Sequence, residues 1–474
     1  MKTKFPGDFL WGTAISAFQT EMGVSKEADF SGIDWYQWTH SPEMISKKLV
    51  SGDLPEGGDG FWDLYREDMQ RAVDLGTNSI RLSVEWGRIF RDSTESVDAK
   101  VRKNEGGDVI GVEVDDVCFR KLSKQADLDA VEHYRKMLAH AKRLGLNVLL
   151  TINHFSLPLW AHDPVACHRN LKASSRRGWL DQSTVEEFGK YADFAARAFS
   201  KQVDIWETIN EPEVVATQGY LMGGFPPALT DLSLAFKAER NMAFAHSVAY
   251  RNLKKHGPDK PIGIGIARNV YLSADDDPRS RLAAERASYL GTEWILNALI
   301  YGAFDNDFDM LADERAEGMS GSDYIGLDYY ERTRVRYSDK ANPMGGHMEA
   351  LPCTDCTDFH WDIYPEGIRS VSRWMYEKYR LPIYVLENGL ADAKDEKRAR
   401  YIRAHLKELS DAINIDGVPI KGYYHWSLLD NFEWGEGYSM RFGLYAVDFK
   451  TKARVRRRSA DAFEKVCRTG VLDY

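Results

Sequence analysis

The sequence contains few cysteines and no long run of apolar residues. Five cysteines in 474 residues are a small and odd number, which argues against an extracellular disulfide framework and predicts reduced thiols. The amino-terminal segment lacks a continuous apolar stretch of signal-peptide length, and no run of about 18 apolar residues occurs elsewhere. We therefore expect a cytoplasmic protein that does not associate with a membrane.

An excess of positive charge is also absent. The 62 Lys and Arg residues are outnumbered by 72 Asp and Glu residues, which gives a formal net charge of −10, so the chain as a whole does not attract nucleic acid. One basic run is interpreted as a solvated or subunit-contacting surface; it comprises Arg454, Arg456, Arg457 and Arg458. This charge balance favours a neutral small molecule as the binding partner.

Metal ligands at a recognisable spacing are scarce. Cys353 and Cys356 form a short-spaced pair with His347 and His360 nearby, and structural zinc sites use such residues. A solvated loop explains the pair equally well, because no second pair of cysteines completes a zinc site. We expect no metal and no cofactor.

No linker rich in Pro, Gly or Ser divides the chain. Instead, amphipathic helical patterns alternate with eight short β-branched or aromatic segments, namely FLWGTAIS, TNSIRLSVEW, NVLLTINH, IWETINEP, PIGIGIARNV, DYIGLDYY, PIYVLENG and IKGYYHWSLLD. This alternation predicts a parallel sheet, and eight units predict an α/β fold with a single (β/α)8 TIM barrel over residues 1–474. Two long polar insertions, at 91–127 and 337–358, are expected at the barrel mouth.

The predicted strands end in polar and aromatic side chains. Active sites of such barrels form at the carboxyl ends of the strands, and here those ends carry Gln19, His154, Asn210, Glu211, Asp328, Tyr330, Glu387 and Trp426. Carboxyl, amide and imidazole groups bind hydroxyls, and indole offers a flat apolar face to a sugar ring. The convergence of these groups favours a polar sugar site.

Two of these residues have the chemistry that glycoside hydrolysis requires. The reaction needs one carboxylic acid to protonate the leaving oxygen and one carboxylate to meet the oxocarbenium-like centre. Glu211 ends an apolar strand in TINEP, and Glu387 ends another in YVLENG. A lone glutamate at a strand end is usually solvated, but a pair on opposite sides of one barrel predicts catalysis.

The ordered motifs resemble glycoside hydrolase family 1, most closely its thermophilic archaeal branch of β-glucosidases and β-galactosidases. The resemblance runs nearly the whole chain, through FPGDFLWGTAISAFQTE, RLSVEWGRIF, NHFSLPLWAHDP, TINEPEV, DYIGLDYY, WDIYPEGI, YVLENG and WSLLDNFEWGEGYSMRFGL. It implies a retaining enzyme that removes terminal β-D-glucosyl or β-D-galactosyl residues, with Glu387 as nucleophile and Glu211 as acid/base. It also implies some transglycosylation and a homo-tetramer.

The resemblance further implies roles for the residues around this pair. Arg81 and Tyr330 are expected to keep Glu387 ionised, and Trp426 to form the platform beneath the sugar. Phe442 would close the pocket. The expected contacts to the non-reducing-end sugar are Gln19, His154, Asn210, Glu433 and Trp434.

Some residues depart from the family pattern. Asp328 stands where Asn is usual, so an ionised Asp328 would raise the pKa of Glu387; a requirement for its protonation predicts a lowered pH optimum. Phe155 replaces Trp and Leu386 replaces Thr, changes that we expect to tune packing. Members acting on 6-phosphorylated sugars have Ser in place of Glu433, and Lys and Tyr in place of Met440 and Phe442, so phosphosugars are not the expected substrates.

Three other functions compete with this hypothesis. A β-mannosidase or a dedicated transglycosylase would use the same chemistry and differ in its treatment of the 2-hydroxyl or of water. A sugar-binding protein that has lost turnover would not need both Glu211 and Glu387. An endoglycanase would replace the pocket that Trp426, Glu433 and Phe442 predict with an open groove.

Overall fold

The computed structural model describes residues 2–319, 321–339, 347–349 and 355–473, and eight of its strands form a closed barrel. Each strand pairs in parallel with its neighbours in chain order, and the last strand pairs with the first. The predicted (β/α)8 barrel is therefore confirmed. Strands β1 to β8 are Leu10–Ala14, Ser79–Ser83, Asn147–Thr151, Ile205–Asn210, Ile262–Ala267, Tyr324–Asp328, Ile383–Asn388 and Ile420–Trp426.

A helix follows each strand and covers the outside of the barrel. In the second of these helices the buried side chains recur every three or four residues, so that one face packs on the strands. The Asp127 side chain caps this helix by accepting a hydrogen bond from the backbone N–H of Ala130. Helices α1 to α8 are Phe61–Asp74, Leu128–Arg143, Gln182–Phe199, Leu232–His256, Trp294–Tyr301, Glu366–Tyr379, Arg398–Asn414 and Ala460–Thr469.

Shorter elements lie in the connections between strands and helices. The additional strands are Lys2–Lys4 with Val471–Asp473, Lys100–Lys103 with Val109–Glu113, Ala303–Phe304 with Glu314–Arg315, Tyr445–Val447 with Arg454–Arg456, and the three-stranded set Val270–Ser273, Arg332–Arg336 and His347–Glu349. The short helices are Ala17–Thr20, Asp34–Thr39, Pro42–Ser46, Pro55–Gly57, Trp86–Ile89, Asp116–Gln125, Pro164–Asn170, Gly178–Leu180, Pro212–Ala216, Thr217–Leu221, Pro278–Ser288, Tyr289–Glu293 and Trp434–Glu436.

Two clusters of buried apolar side chains make up most of the core of the described residues. A large cluster joins the outer faces of the strands to the helices, and a smaller one fills the barrel interior. In the interior, Leu386 occupies the space above Gly326, where a side chain of any size would overlap it. Tyr324 and Tyr424 pack in the same interior cluster, and Trp426 lies at its upper end. Polar side chains replace this apolar filling at the carboxyl ends of the strands.

The first long insertion, residues 91–127, does not lie at the barrel mouth. Its hairpin, Lys100–Lys103 with Val109–Glu113, runs along the helix layer, and Val112 packs against Gly189 of α3, where a Cβ would lie 2.9 Å from Val112. The predicted position of this insertion was therefore wrong, because its apolar strand finds a partner in the groove between α3 and α4. Other long loops do line the mouth of the barrel.

The second insertion, 337–358, lies largely outside the described residues, as does Cys353. Cys356 is disulfide-bonded, so the prediction of reduced thiols is wrong for this residue, and its sulfur has no thiolate to offer to zinc. Cys118, Cys167 and Cys467 are free. Among the described residues, no helix is long and apolar enough to cross a membrane.

The basic run near the carboxyl terminus is balanced by acidic partners. Arg454 forms an ion pair with Asp68 at 2.7 Å and Arg456 one with Asp461 at 2.7 Å. Arg457 contacts a further acidic side chain, that of Asp430, at 2.6 Å. These ion pairs neutralise much of the positive charge that the sequence places here.

Candidate active site

A cavity of about 700 Å³ opens at the carboxyl ends of the barrel strands. Nine of the twelve residues singled out from the sequence line it: Gln19, His154, Glu211, Tyr330, Glu387, Trp426, Glu433, Trp434 and Phe442. The other three, Arg81, Asn210 and Asp328, lie in a buried polar layer next to this lining. The barrel thus brings together side chains that lie on or follow seven of its eight strands, all except β5.

Glu387 ends β7 and is surrounded by hydrogen-bond donors. Its side chain is buried, and Oε1 accepts a hydrogen bond from Nη1 of Arg81. The other oxygen, Oε2, accepts from the hydroxyl of Tyr330 at 2.6 Å. Both contacts favour the ionised carboxylate.

Arg81 is itself held in place by a residue that the sequence did not reveal as functional. Glu207 on β4 accepts from Nε of Arg81 at 2.7 Å and from Nη2 at 2.9 Å, which fixes the plane of the guanidinium. Asn210 also accepts from Nη2, at 2.7 Å, and Thr151 donates to Glu207 at 2.5 Å. A charged residue inside the wholly buried segment IWETIN was the signal for Glu207.

Glu211 follows β4 in a different environment. It has φ 47° and ψ 59°, a left-handed conformation that is uncommon outside glycine, and its N–H donates to the carbonyl of Gly265 on β5 at 2.9 Å. Pro212 then begins a short helix. Within the described part of the chain, no donor forms a hydrogen bond with the Glu211 carboxyl group, which is 7% exposed.

The two glutamates therefore differ in their affinity for a proton. Burial raises the pKa of Glu387, but Arg81 and Tyr330 oppose that rise. Burial together with the charge of Glu387 raises the pKa of Glu211 well above its usual range. One carboxyl oxygen each from Glu211, Glu387 and Asp328 lie within 4.8 Å of one another. A neutral acid and an ionised carboxylate can thus act on the same bond in the cavity.

Gln19 and Glu433 form a polar fork at one side of the cavity. Nε2 of Gln19 donates to Glu433 and to Asn431, both at 3.2 Å, and its Oε1 accepts from Ser16 at 2.6 Å. Burial and the charge of Glu387 raise the pKa of Glu433 to about 8. Asn431 was not predicted from the sequence, although it lies two residues before Glu433 in DNFEW. The fork presents paired oxygen and nitrogen atoms that suit adjacent hydroxyls.

Flat rings surround this fork. The imidazole of His154 lies 6.0 Å from the indole of Trp426 at an interplanar angle of 13°, and 6.1 Å from that of Trp434 at 10°. Burial lowers the pKa of His154 well below its usual value, so the ring is neutral. Phe155, with φ 70°, packs against Trp434 at 5.0 Å. The change to Phe at this position is thus accommodated within the aromatic wall.

Phe442 belongs to a second aromatic group on the wall. Phe359 and Trp361 stack on each other at 4.4 Å, and their rings lie 6.0 and 6.2 Å from that of Phe442. Sequence analysis missed both residues because they directly follow an insertion without a clear pattern. Glu331, which also lines the cavity, was missed as well, although it follows the strand end at Tyr330.

Comparisons with known proteins agree with this geometry. The sequence pattern of glycosyl hydrolase family 1 matches residues 1–101 and 123–471. The β-galactosidase of Pyrococcus woesei is 36% identical over 98% of this chain and 96% of its own length. The crystal structure of the β-glycosidase from the hyperthermophile Thermosphaera aggregans superposes with a TM-score of 0.91 at 35% identity, covering 98% of this chain and 96% of that one.

A second solved structure is that of a β-glucosidase mutant derived from a hyperthermophilic tetrameric structure. It superposes with a TM-score of 0.87 at 37% identity and covers 98% of this chain and 96% of that one. The similarity in each case spans the whole barrel and all eight strand ends. The segment missing from the family match, residues 102–122, falls within the first long insertion.

Proposed function

The chain belongs to glycosyl hydrolase family 1, and we propose that it is a retaining exo-β-glycosidase that releases terminal β-D-glucosyl or β-D-galactosyl residues. Its status as a glycoside hydrolase rests on the family and on relatives named β-galactosidase and β-glucosidase. The proposal adds the mechanism, the two sugars and the residues that act on them. Glu387 is the proposed nucleophile and Glu211 the proposed acid/base.

The observation that carries this proposal is the short separation of two carboxyl groups with unequal proton affinities. Retaining enzymes hold the two groups about 5 to 5.5 Å apart, whereas inverting enzymes need about 6.5 to 9.5 Å to admit a water molecule between them. Carboxyl oxygens of Glu211 and Glu387 lie within 4.8 Å of each other. This distance supports direct attack by Glu387 on the sugar.

In the first half-reaction, Glu387 attacks the anomeric carbon while Glu211 gives its proton to the leaving oxygen. Arg81 and Tyr330 hold the two oxygens of Glu387 in a fixed orientation towards the cavity. The glycosidic C–O bond breaks and a glycosyl–Glu387 ester forms, and the leaving group departs as an alcohol. The negative charge of Glu387 disappears in this step.

The second half-reaction reverses the role of Glu211. Since Glu387 no longer carries a charge, one of the causes that raise the pKa of Glu211 is removed. Glu211 then accepts a proton from water, which attacks the anomeric carbon and releases the sugar with its original configuration. A sugar or alcohol that replaces water gives the transglycosylation product.

The shape of the cavity supports removal of a single terminal sugar. A cavity of about 700 Å³ matches a small-molecule site rather than a groove for a polymer. Gln19 and Glu433 offer a fork for adjacent hydroxyls, and Trp426 offers a flat face. Asn210 is held by Arg81 and faces His154 at 3.4 Å, so we propose that it contacts the sugar from the edge of the nucleophile layer.

A β-mannosidase or a dedicated transglycosylase is the second candidate. It is favoured by Asp328, an additional carboxyl group with an oxygen within 4.8 Å of one of the proposed nucleophile Glu387. A non-catalytic sugar-binding protein is less well supported, because both carboxyl groups and both donors to Glu387 are in place.

A panel of nitrophenyl glycosides tests the proposal. We expect release of nitrophenol from the β-glucoside and β-galactoside, and proton NMR of the first product should show the β-anomer before mutarotation. Highest activity on the β-mannoside would favour the second candidate. An α-anomer as the first product would contradict the retaining mechanism, and binding without turnover of any glycoside would contradict catalysis.

We also propose that the chain forms a homo-oligomer and acts in the cytoplasm. The first part is supported by the tetrameric origin of the β-glucosidase mutant that resembles it. Light scattering on the purified protein would measure the mass against the 54.0 kDa of one chain. A monomer over the whole concentration range would contradict the oligomer.

A further inference from the structure

Asp328 is a buried carboxyl group without a hydrogen-bond partner. It ends β6 and lies opposite Glu387 of β7 in the pairing of the two strands. Its exposure is 0%, and neither Oδ1 nor Oδ2 has a partner among the described residues. Unpaired polar atoms in the interior are costly, so two unpaired oxygens on one side chain require an explanation.

Arg81, the cation whose charge acts on Asp328, is already engaged by other side chains. Arg81 directs Nε to Glu207, Nη1 to Glu387 and Nη2 to Glu207 and Asn210. One positive charge thus already serves two carboxylates. An ionised Asp328 would be a third negative charge beside a single guanidinium.

The remaining neighbours of Asp328 do not supply a positive charge. Strand β5, which pairs with β6 on the other side, places Gly265 and Ala267 at the same level, and neither residue titrates. Glu211 faces Asp328 across the cluster. Tyr330, two residues further along, donates its hydroxyl to Glu387. Arg268 donates its backbone N–H to the Asp328 carbonyl at 2.9 Å, but its guanidinium donates to Ser288 instead. Among the described residues, no positively charged side chain therefore forms a hydrogen bond with the Asp328 carboxyl group.

These surroundings favour the neutral acid. Burial, followed by the charges of Glu387 and Glu211, raises the pKa of Asp328 well above its usual range. A protonated carboxyl group carries one O–H donor, and carboxyl oxygens of Glu387 and Glu211 lie within 4.8 Å of an Asp328 oxygen. Other enzymes hold a carboxylic acid neutral at pH 7 in an apolar site so that it can donate a hydrogen bond.

We propose that Asp328 remains a neutral carboxylic acid through both half-reactions and directs its hydroxyl towards the Glu387 carboxylate. This inference rests on the proposed function and assigns Asp328 as a positioning residue that acts through the nucleophile. Its proton stays in place while the proton of Glu211 leaves with the aglycone and is regained from water. The active enzyme thus holds two protons on its three clustered carboxyl groups.

The proposal predicts an alkaline loss of activity that does not come from Glu211. To isolate it, Glu211→Gln is compared with Glu211→Gln/Asp328→Asn on a 2,4-dinitrophenyl β-glucoside, whose leaving group needs no acid. In Glu211→Gln, kcat/KM should fall about tenfold per pH unit above the pKa of Asp328. In the double variant this fall should disappear, because an amide donates a hydrogen bond but cannot ionise.

Infrared spectroscopy detects the protonated form of Asp328 directly. The difference spectrum between Glu211→Gln and the double variant should contain the carbonyl band of a protonated carboxylic acid, and the band should vanish over the same pH range as the activity. Asp328→Ala introduced into the Glu211→Gln background, which removes the donor, should lower kcat/KM at least tenfold and leave no fall of activity at alkaline pH. Thermal unfolding of each variant verifies that the fold is kept.

Three results would overturn the proposal, and the first two concern the pH profile and the infrared band. One is a fall of kcat/KM at the same alkaline pH in Glu211→Gln and in the double variant. The other is that Glu211→Gln shows neither this fall nor the infrared band of a protonated carboxylic acid. A limb that moves on addition of EDTA or Mg²⁺ would also overturn it, since the three carboxyl groups would then hold a cation. Failure of the proposed function is distinct, because it would appear as undiminished turnover in Glu387→Gln.

Discussion

The ends of β4 and β7 present the same side chain to one cavity in opposite chemical states. Glu387 on β7 receives hydrogen bonds from Arg81 and Tyr330. Glu211 after β4 receives none from the described residues and faces the charge of Glu387. Both are buried, so burial alone does not distinguish them.

This difference shows that neighbouring hydrogen-bond donors, rather than residue type or burial, determine which glutamate is ionised and which keeps its proton. A guanidinium and a phenol stabilise the charge on Glu387, whereas the absence of donors leaves the proton on Glu211. Two carboxyl groups that are pushed apart in pKa are typical of an acid and a nucleophile at one site. Substitutions at each end of this pair should therefore have unequal effects.

The largest effect is expected from Glu387→Gln. Because it removes the attacking oxygen, kcat on aryl β-glucosides should fall by at least on the order of 10⁴-fold, the scale seen when other enzymes lose a covalent nucleophile. Glu331→Gln is the matched control, since Glu331 also lines the cavity but does not contact Glu387. A similar loss in both variants would show that the loss does not come from a specific nucleophile.

Glu211→Gln should show an effect that depends on the leaving group. General acid catalysis contributes about 10² to 10⁴-fold, so methyl and cellobiosyl leaving groups should lose activity on this scale. Glycosides whose leaving groups are stable anions should form the glycosyl-enzyme at nearly the wild-type rate. Stopped-flow bursts measure that step. A uniform loss across the series would contradict the assignment of Glu211 as the acid.

Tyr330→Phe should lower kcat/KM moderately, through its effect on Glu387 alone. A hydrogen bond to a charged group contributes about 1.5 kcal/mol or more, so kcat/KM should fall about tenfold. The hydroxyl lowers the pKa of Glu387, so its loss raises that pKa and moves the acid limb of kcat/KM to higher pH. Tyr329→Phe is the control, because the Tyr329 hydroxyl donates to the carbonyl of Tyr364 at 2.6 Å. An equal shift of the acid limb in Tyr330→Phe and Tyr329→Phe would contradict a specific role for the hydrogen bond from Tyr330 to Glu387.

The smallest effect is expected from Glu213→Gln at the β4 end. Glu213 is buried two residues beyond Glu211, and burial raises its own pKa well above the usual range, so it carries little charge at neutral pH. Its Oε1 accepts from the Ala267 N–H at 2.5 Å, a role that Gln retains. The alkaline limb set by Glu211 should move by less than about half a pH unit. A larger shift of this limb to lower pH would show that the charge of Glu213, rather than that of Glu387, is the main charge that raises the pKa of Glu211.

The barrel and the strand-end residues were predictable because they depend on local patterns. Apolar segments of strand length give the eight strands, and parallel pairing then brings all carboxyl ends to one face. Glu211, Glu387 and Trp426 are predicted from the sequence to lie together because each stands at such a carboxyl end. Their chemical roles remain predictions, whereas their convergence in one cavity is an observed fact.

The parts that were missed depend on contacts between distant segments. Glu207 matters because barrel closure turns it towards Arg81, and strand alternation alone does not reveal that partner. Val112 of the first insertion packs on α3, a docking that no local pattern encodes. Phe359 and Trp361 reach the cavity only through the path of a long loop. The disulfide at Cys356 was likewise not apparent from an odd cysteine count.

Azide rescue tests most directly whether Glu387 is the nucleophile and Glu211 the acid/base. In Glu387→Gly, azide should occupy the vacated nucleophile position and give the α-glycosyl azide from a 2,4-dinitrophenyl β-glucoside. In Glu211→Ala, azide should attack the glycosyl-enzyme on Glu387 and give the β-glycosyl azide. Opposite anomers from the two variants are the predicted result. The same anomer from both, or the reverse assignment, would contradict the account.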